Sequence, residues 1–573
     1  MGRCKFVSEL NRLRKSSSDS IDNVESFDSF KKYMHVTRPA EIDLKSVLRS
    51  VNASGKKTLV LLCGSAGDGK SHLLSYLRNF DEEHLLENYI VYNDATESNS
   101  PSKTAIETLN ELLAPFNDGN IHLDGKNIIL AINLGILSNF IESVYGMSFS
   151  YLRTYVEKSC ILTSQVSNNS YDASSHFQHV SFSDYHTYSL TENGAYGKYI
   201  EKILDKIFGN NEGNAFYNSY EKECANCSLS QRCPVKKNYE YLMSKKRQKY
   251  IADLLIKTII QDKAILTTRE ILNFIYDIVV AQSFDITVFQ GIIDDSAYLK
   301  EFMKQITPAL IYDSRDVTAL MNMVKKYDPL LVRSEAADEF ATSYYVRSNV
   351  SKDISTAVGS VPYGEIMCNS DFLNKLNDDK TLKSQLFSLI VRIDAIESGE
   401  IEDEVYQRFL KDLYLYNSGK GKKLGALYSM IEKGVTQWCG SDLDGNLCLD
   451  NRHQGFALYE SIKFTANLDH VPSPEITDEL QRFTPSIKVS FEDIHGETIM
   501  LDIDYSLYTL IYKLNQGYIQ TADDRNNHAD FIGFVNRMLQ TGSLTESITI
   551  TSDDGQRANI TRDTFGYKFK VVR

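Results

Sequence analysis

Residues 64–71 combine glycines, a lysine and a serine at a spacing typical of phosphate binding. They read Gly-Ser-Ala-Gly-Asp-Gly-Lys-Ser, the full G-x-x-x-x-G-K-[ST] pattern, and lie between an apolar strand-like run and a run with helical spacing. In such a loop the backbone N–H groups turn inward around phosphate oxygens, and the start of the helix adds positive potential. Lys70 is expected to contact the β- and γ-phosphates, and Ser71 to bind Mg²⁺. The pattern predicts an ATP and Mg²⁺ site made of Gly64, Ser65, Ala66, Gly67, Asp68, Gly69, Lys70, Ser71 and His72.

Hydrolysis of a nucleotide also needs a group that positions or activates water, and the sequence offers two places for it. Asn133 ends the apolar run 127–133, at the chain distance from the loop where a Mg²⁺ carboxylate is usual, but an amide cannot act as a base. Asp94 and Glu97 follow the shorter apolar run 89–92 and supply two carboxylates. Carboxylates at a strand end also commonly cap a turn, so the two assignments stay open.

Arg269 is a candidate for a further contact with the γ-phosphate. It lies near the start of residues 266–279, whose apolar positions have helical spacing. ATPases of the AAA+ type pack a helical lid over the nucleotide and offer an arginine from such a helix, which couples hydrolysis to lid movement. An exposed arginine in the first turn of a surface helix is an equal alternative. Further along, Arg315 and Arg333 are candidates for an arginine that reaches the nucleotide of a neighbouring subunit in a homo-oligomer.

Three of the nine cysteines fall within ten residues, namely Cys224, Cys227 and Cys233. A C-x-x-C pair presents two thiolates to one metal, and in a reducing cytosol such cysteines are more often metal ligands than disulfide partners. The group predicts a structural zinc (Zn²⁺) site, with an iron–sulfur cluster or unligated thiols as the alternatives. Tetrahedral coordination needs a fourth ligand, and the sequence leaves four candidates for it: Cys160, His176, His179 and His186.

Two basic segments are candidates for contacts with DNA. Residues 236–250 interleave six basic residues with three tyrosines, which can neutralise phosphates and stack on bases. A solvated helix surface with ordinary lysines is the favoured alternative. The loop 419–423 brings three further lysines together and is also consistent with a plain exposed turn.

Length, charge and hydropathy restrict the class of protein. The 573 residues are too many for one hydrophobic core, and 42% hydrophobic and 24% charged residues are typical of a globular chain. No apolar run approaches the length of a membrane span, and the first residues lack the apolar core of a signal peptide, so a cytoplasmic location is expected. The net charge of −14 opposes nonspecific adsorption to DNA or anionic lipid. Any contact with DNA therefore has to come from a local patch.

The order of predicted elements favours an α/β fold. Four apolar strands alternate with helical stretches, as a parallel sheet with crossovers requires, and this predicts a P-loop NTPase core of the RecA-like or AAA+ type. From about residue 480 the pattern changes to half-buried strands, with helices at 505–515 and 529–539. The predicted domains are a polar N-terminal arm at 1–42, the P-loop core at 43–200, a Cys-rich insertion at 201–250, a helical lid at 251–345, a helical middle domain at 346–475 and a β-rich α+β domain at 476–573.

Several segments together resemble DptF, also called DndF, a family of proteins of bacterial DNA phosphorothioation-dependent restriction. The segments span most of the chain: Gly64 to His72, the strand Leu130-Ala-Ile-Asn-Leu-Gly135, the three clustered cysteines with Asn238-Tyr239, Thr268 to Asp277, and Asp523-Asp-Arg525. The resemblance implies an ATPase of antiviral defence that acts with DptG and DptH to restrict DNA lacking phosphorothioate modification.

The same resemblance implies that a partner cleaves the DNA, and no nuclease-type cluster is legible in this sequence. Asn133 departs from the usual carboxylate and argues against fast intrinsic hydrolysis. Two interpretations therefore remain: an ATP-driven enzyme of DNA restriction, or a nucleotide-binding scaffold or switch that turns over little ATP.

Overall fold

The structure is a computed structural model that divides the chain into two compact units. Unit 1 comprises Met1–Ser189 with Tyr196–Glu402, and unit 2 comprises Leu190–Ala195 with Asp403–Arg573. The structure describes residues 4–14, 29–65, 67–93, 104–163, 166–264, 266–313, 318–332, 335–347, 350–368, 379–399, 401, 403–442, 445–453, 455–460, 462, 465–474, 477–492, 496–540, 548–563 and 566–572. This division differs from the six predicted segments, because the predicted core, insertion and lid share unit 1 and the predicted middle domain is split.

Unit 1 contains a parallel sheet and a large helical part. Its strands are β1 (Leu59–Cys63), β2 (Tyr89–Tyr92), β3 (Asn127–Ile132) and β4 (Phe177–Ser181). The strands β5 (Tyr185–Thr191) and β6 (Gly194–Tyr196) follow, and the segment Leu190–Ala195, with the end of β5 and most of β6, belongs to unit 2. Its first helices are α1 (Lys5–Leu10), α2 (Ser29–Met34), α3 (Pro39–Ser54), α4 (Lys70–Phe80), α5 (Ala105–Leu113), α6 (Leu134–Glu142), α7 (Ser150–Lys158), α8 (Lys198–Phe208), α9 (Ala215–Ala225) and α10 (Pro234–Leu242). They continue with α11 (Lys245–Asp262), α12 (Thr268–Val279), α13 (Ile286–Gly291), α14 (Asp295–Lys304), α15 (Thr307–Asp313), α16 (Ala319–Val324), α17 (Glu335–Val346), α18 (Ser351–Val358), α19 (Gly364–Met367) and α20 (Lys380–Ser398).

The four-stranded sheet of unit 1 has the order β2-β3-β1-β4, and its neighbouring strands are parallel. Leu61 in β1 pairs with Leu130 in β3 and with His179 in β4. β1 is buried along its whole length, as expected for a parallel strand covered on both faces. Alternate residues of β1 belong to different hydrophobic clusters, with Leu61 in one and Leu62 in the other. The predicted α/β class with a four-stranded parallel sheet is confirmed, and the carboxyl ends of its strands meet at one edge.

The described residues of the predicted polar arm, 4–14 and 29–42, include side chains that pack against the rest of unit 1. In α1, the ring of Phe6 lies 6.0 Å from that of Tyr220 and 5.1 Å from that of Tyr239. Beyond α1, Arg14 forms an ion pair with Asp277. The serine-rich composition does not indicate these apolar and charged anchors, because their partners lie far away in sequence.

Unit 2 is an α+β unit that starts well before the predicted boundary at residue 476. Its helices are α21 (Glu404–Asn417), α22 (Gly425–Cys439), α23 (Tyr505–Asn515), α24 (Ala522–Asn527) and α25 (Ala529–Gln540). Its strands are β7 (Leu447–His453), β8 (Phe456–Glu460), β9 (Thr465–Asn467), β10 (Glu479–Arg482), β11 (Ile487–Glu492), β12 (Thr498–Ile503), β13 (Ile548–Ser552), β14 (Arg557–Asp563) and β15 (Gly566–Val572). They include a three-stranded sheet, β12-β11-β9, and a five-stranded sheet, β15-β14-β13-β8-β7, both with antiparallel neighbours. Across the described ranges, no helix is both long and apolar enough to cross a membrane.

Candidate functional site

The predicted phosphate loop runs from the carboxyl end of β1 to the first turn of α4. Gly67 and Gly69 have φ angles of 88° and 93°, a region that side-chain-bearing residues rarely adopt. The carbonyl oxygen of Gly69 accepts the N–H of Leu73 at 2.9 Å, which closes the first turn of α4. The described part of the loop therefore has the strand, turn and helix arrangement that the pattern requires, while Ala66 lies outside the described residues.

The two side chains predicted to handle phosphate and metal lie at the start of α4. The ammonium group of Lys70 donates to the carbonyl oxygen of Ser65 at 2.6 Å, so it reaches back over the loop. The hydroxyl of Ser71 donates to the carbonyl oxygen of Asn93 at 3.4 Å. Because Asn93 directly follows β2, the predicted Mg²⁺ ligand lies beside the carboxyl end of that strand.

The strand ends that precede the two predicted catalytic places both border the loop. Asp94 follows Asn93 directly and Glu97 comes three residues later, and both acidic residues lie outside the described residues. At the end of β3, the Ile132 carbonyl accepts the Gly64 N–H at 3.2 Å. Asn133 follows at an exposed position, where its side-chain oxygen accepts a backbone N–H at 2.8 Å as the N-cap of α6. Ser71 is thus hydrogen-bonded to the residue that follows β2, whereas the side chain of Asn133 caps α6.

A carboxylate of the loop itself is folded onto the loop backbone. Asp68 Oδ2 accepts the N–H of Ser65 at 2.5 Å. Burial raises the pKa of the Asp68 carboxyl, and the charges of Lys70 and Arg38 act in the opposite direction. This carboxylate therefore takes a backbone N–H of the kind that binds a phosphate oxygen in such loops. The sequence pattern places Asp68 in the loop but says nothing about this contact.

Arg38, a residue that the sequence pattern did not single out, joins the loop to two aromatic rings. Its Nη1 donates to the carbonyl oxygen of Asp68 at 2.7 Å. Its guanidinium carbon lies 5.2 Å from the centre of the Phe182 ring and 5.1 Å from that of Tyr199. The hydroxyl of Tyr199 in turn lies 2.6 Å from that of Thr268 at the start of α12. The guanidinium group of Arg38 thus lies between the loop and α12, the helix predicted to form the lid.

The N-terminus of α12 lies directly against the loop. A Cβ placed on Gly67 would come within 2.9 Å of Thr267 Cγ2. Thr267 is the N-cap of α12 and forms a capping box with Glu270, in which Thr267 Oγ1 accepts the Glu270 N–H at 3.2 Å and the Glu270 carboxylate accepts the Thr267 N–H at 2.9 Å. The partial positive charge of a helix start therefore adjoins the loop. Arg269 is half-buried as the second residue of α12, so the predicted lid arginine lies at the helix end that borders the loop.

The histidine that ends the loop segment is held in the neutral form. Burial, together with the charges of His35 and Lys31, lowers the pKa of His72 to about 4. Nε2 of His72 lies 3.2 Å from Nδ1 of His35, whose Nε2 lies 2.9 Å from the carboxylate of Glu41. The His35 ring also stacks on Tyr76 with centroids 3.5 Å apart. These contacts join α4 to the segment that enters α3.

The three cysteines predicted as zinc ligands lie around one turn of unit 1. Cys224 is near the end of α9, Cys233 is the N-cap of α10, and the Cys227 N–H donates to the Cys224 carbonyl at 3.3 Å. Burial, together with the neighbouring thiols of Cys233, Cys4 and Cys227, raises the pKa of Cys224 to about 12. Cys4 is therefore a fourth neighbour, although it lies far away in sequence. As the described side chains stand, no group of three or more His, Cys, Asp or Glu is arranged to hold a metal ion.

Two of the four sequence candidates for a fourth zinc ligand have other partners. Nδ1 of His179 lies 2.9 Å from the hydroxyl of Tyr155, and its Nε2 lies 3.0 Å from that of Ser167. Nδ1 of His176 donates to the carbonyl oxygen of Lys57 at 2.8 Å. The contacts of these histidines support the sheet.

The basic segment 236–250 is largely part of the core. Tyr239 and Tyr241 are 0% exposed, so their rings cannot stack on bases. Lys237 is buried and pairs with Glu365 at 2.8 Å. Arg247 is also buried and pairs with a glutamate at 2.5 Å. The expectation that these tyrosines stack on bases is therefore wrong, and two of the six cations are committed to ion pairs, whereas Lys245, Lys246 and Lys249 are exposed.

The site is thus a glycine-rich loop at the carboxyl edge of a parallel sheet, with a lysine and a serine at the start of the following helix. Backbone N–H groups and helix N-termini at such a place are suited to anions, and phosphate groups above all. No family model, curated protein or solved structure matches this chain.

Proposed function

We propose that this chain binds Mg·ATP at residues 64–72 and hydrolyses it as a P-loop NTPase of the AAA+ or RecA-like type. The observation that carries the proposal is the loop geometry: β1 delivers the loop to the carboxyl edge of the sheet, and α4 starts with Lys70 and Ser71. Lys70 is within reach of the loop backbone at 2.6 Å, where it would meet the β- and γ-phosphates. Ser71 would bind the Mg²⁺ beside the end of β2.

In this proposal the water-activating group comes from the end of β2. Ser71 contacts Asn93, so the chain that continues into Asp94 and Glu97 starts next to the Mg²⁺ position. A carboxylate there would complete the metal site and accept a proton from the attacking water. Asn133 would contribute as a neutral group that orients water at the neighbouring strand end.

The helix α12 would move in response to nucleotide binding at the loop. Its N-cap, Thr267, touches Gly67, so a change in the loop on nucleotide binding would push directly on the helix end. Arg269 lies in the same turn and would contact the γ-phosphate, which is lost on hydrolysis. Loop occupancy and lid position would thereby be coupled.

The restriction context rests on the resemblance to DptF. In that context the chain would act in the cytoplasm with DptG- and DptH-like partners on DNA that lacks phosphorothioate modification, with the partner responsible for cleavage. Contact with DNA would come through the complex or through a surface other than residues 236–250, because the tyrosines of that segment are buried.

Calorimetric titration of Lys70→Ala with Mg·ATP tests the proposal. The substitution removes a charge-assisted contact worth about 2 to 3 kcal/mol, so affinity should fall by roughly 30- to 150-fold. Lys126→Ala is a matched control, because Lys126 is exposed directly before β3, at the edge of the sheet opposite the loop. Equal affinity of the Lys70→Ala variant and the wild type would refute nucleotide binding at this loop.

A nucleotide-binding switch with little turnover is the second candidate function, and two observations favour it. The side chain of Asn133 caps a helix, and Asp68 places a negative charge inside the loop. Hydrolysis measured with and without duplex DNA and partners separates the two functions. If the wild type turned over ATP no faster than Lys70→Ala under all these conditions, while still binding it, the switch would replace the enzyme.

A further inference from the structure

The strand β15 forms one edge of the five-stranded sheet of unit 2. It pairs with β14 in antiparallel register, from Gly566 opposite Asp563 to Val572 opposite Arg557. Among the strands that the structure describes, β14 is the only one that pairs with it. Alternate N–H and C=O groups of an edge strand point away from the sheet, so the outer side of β15 presents backbone groups to which a further strand could bind.

The side chains of β15 alternate between an apolar face and a basic face. Tyr567, Phe569 and Val571 share the apolar face, where they are 74%, 65% and 57% exposed. In β14, Phe569 pairs with Ile560, which is half-buried, and Val571 pairs with Ala558, which is 9% exposed. Apolar side chains therefore continue from the covered part of the sheet to its edge, where they are open to solvent.

The basic face of β15 carries Lys568 and Lys570, and both are exposed. Their cross-strand neighbours in β14 are Thr561 and Asn559, which carry no charge. The two lysines disfavour pairing with a second copy of this chain, because an antiparallel pair centred on Phe569 would place Lys568 opposite Lys570 of the second copy. A strand with carboxylates at these positions would be attracted instead.

We propose that the outer edge of β15 binds an extended segment of a partner protein as a sixth strand, and that this segment alternates apolar and acidic residues. Its apolar side chains would cover Tyr567, Phe569 and Val571, and its carboxylates would face Lys568 and Lys570. Lysines alone would serve only to keep the edge unpaired, whereas the exposed apolar side chains beside them fit a partner. In this mode main-chain hydrogen bonds supply affinity, and the alternating side chains supply specificity.

Single-stranded nucleic acid matches this edge less well. Bases could stack on Tyr567 and Phe569, but Lys568 and Lys570, which could neutralise the phosphates, lie on the opposite face of the strand. The net charge of −14 also opposes nucleic acid wherever cations are not gathered on the contact face. The occupant that fits both faces of β15 is therefore an acidic peptide strand.

Fluorescence anisotropy with a labelled synthetic peptide is the first test. The probe is a capped peptide of about nine residues that alternates valine and glutamate, and its matched control has lysine in place of glutamate. The acidic peptide should bind at least about tenfold more tightly than the lysine peptide. A variant with both Lys568→Glu and Lys570→Glu should reverse this preference. No binding of the acidic peptide, or equal affinity for the two peptides, would overturn the proposal.

The substitution Phe569→Ser tests whether the peptide binds along the edge. It should weaken binding of the acidic peptide at least about tenfold. Phe456→Ser is the matched control, because it removes a ring that is 53% exposed from β8, which lies inside the same sheet. Thermal melting checks that both variants are folded. Equal weakening by the two substitutions would place the peptide across the face of the sheet and refute strand addition.

Hydrogen exchange of the wild type tests strand addition without any substitution. Alternate N–H groups of residues 566–572 should exchange more slowly when the acidic peptide is bound, because they gain hydrogen bonds to it. Unchanged exchange in this segment would refute the proposal even if the peptide binds.

Two further measurements test the other occupants of the edge. Binding of an oligothymidylate that Phe569→Ser abolishes, without binding of the acidic peptide, would assign the edge to single-stranded nucleic acid and overturn the proposal. A dimer of the wild type in sedimentation that Phe569→Ser dissociates would assign it to a second copy, with the same consequence. None of these measurements uses nucleotide, so their outcome is separate from the proposed function.

Discussion

Replacing Asp68 by asparagine should strengthen ATP binding by about tenfold. The Asp68 carboxylate holds the Ser65 N–H at 2.5 Å, and a Cβ on Gly64 would come within 2.7 Å of the same oxygen, so the negative charge lies within the loop. An incoming phosphate has to share this space or displace the carboxylate. Asparagine keeps the size of the side chain and an oxygen that can accept the same N–H, but it removes the charge.

The expected magnitude follows from the position of the charge. A carboxylate about 5 Å from a phosphate charge, at an effective dielectric constant of about 20, opposes binding by about 3 kcal/mol. Asp68 is only partly buried, and Lys70, Arg38 and Mg²⁺ screen the repulsion. About half of that energy should remain, and 1.4 kcal/mol is a factor of ten in the dissociation constant.

Isothermal titration calorimetry with Mg·ATP at low and at physiological salt measures the effect. Asp124→Asn is the control, because Asp124 is exposed at the opposite edge of the sheet and its loss changes the net charge equally. The gain in affinity for Asp68→Asn should exceed that of the control by about tenfold and shrink as salt rises. Weaker binding by Asp68→Asn would refute the reasoning, since it would mean that the carboxylate supports the nucleotide or its metal.

Three further substitutions test residues that stabilise the candidate site and unit 1. His72→Gln should make the stability of the fold less sensitive to acid. The pKa of His72 is about 4 in the folded chain and about 6.5 in the unfolded chain, so the unfolded chain binds a proton first as the pH falls. The stability that this group contributes above pH 6.5 is therefore lost on acidification, and the loss reaches about 3 kcal/mol near pH 4. The melting temperature of the variant relative to wild type should therefore rise between pH 7.5 and 4.5, and a constant difference would contradict the assignment. Thr267→Ala should cost about 1 kcal/mol through loss of the α12 cap and weaken ATP binding, whereas Thr267→Ser should retain both; thermal melting and calorimetry check this, and an unchanged alanine variant would count against the capping role. Arg392→Met should destabilise unit 1 by about 3 kcal/mol, because Arg392 is 3% exposed and its loss leaves the buried Asp328, 2.6 Å away, without its cation; an unaltered melting temperature would show that the pair is dispensable.

Local sequence patterns predicted the elements that carry their own signal. β2 has the predicted bounds, and so does α23, whose amphipathic spacing starts after the N-cap Asp504. β7 was missed inside a predicted helical domain, because Asp450 and Asn451 interrupt its apolar run. Such a strand is specified by its pairing with β8, which is a contact made in space rather than in sequence.

In the candidate site, too, the sequence predicted residues in a local pattern and missed those that are brought in by distant contacts. The pattern from Gly64 to Ser71 predicted the loop, since phosphate binding fixes residue types at consecutive positions. Arg38 and Cys4 were not predicted, because each reaches its partners only after distant helices have packed. The DNA patch was inferred from side-chain type alone, and burial of Tyr239 and Tyr241 could not be read from lysine and tyrosine spacing.

The contact between Gly67 and Thr267 limits how these two positions can vary in a combinatorial library. Only 2.9 Å separates the missing Cβ of one from the methyl group of the other, so a residue larger than glycine at position 67 collides with the helix cap. The positive φ of Gly67 adds backbone strain to the collision. An alanine at position 67 should therefore survive selection chiefly with serine at position 267, which retains the capping hydroxyl and gives up the methyl group. Two positions 200 residues apart would then be inherited as one unit.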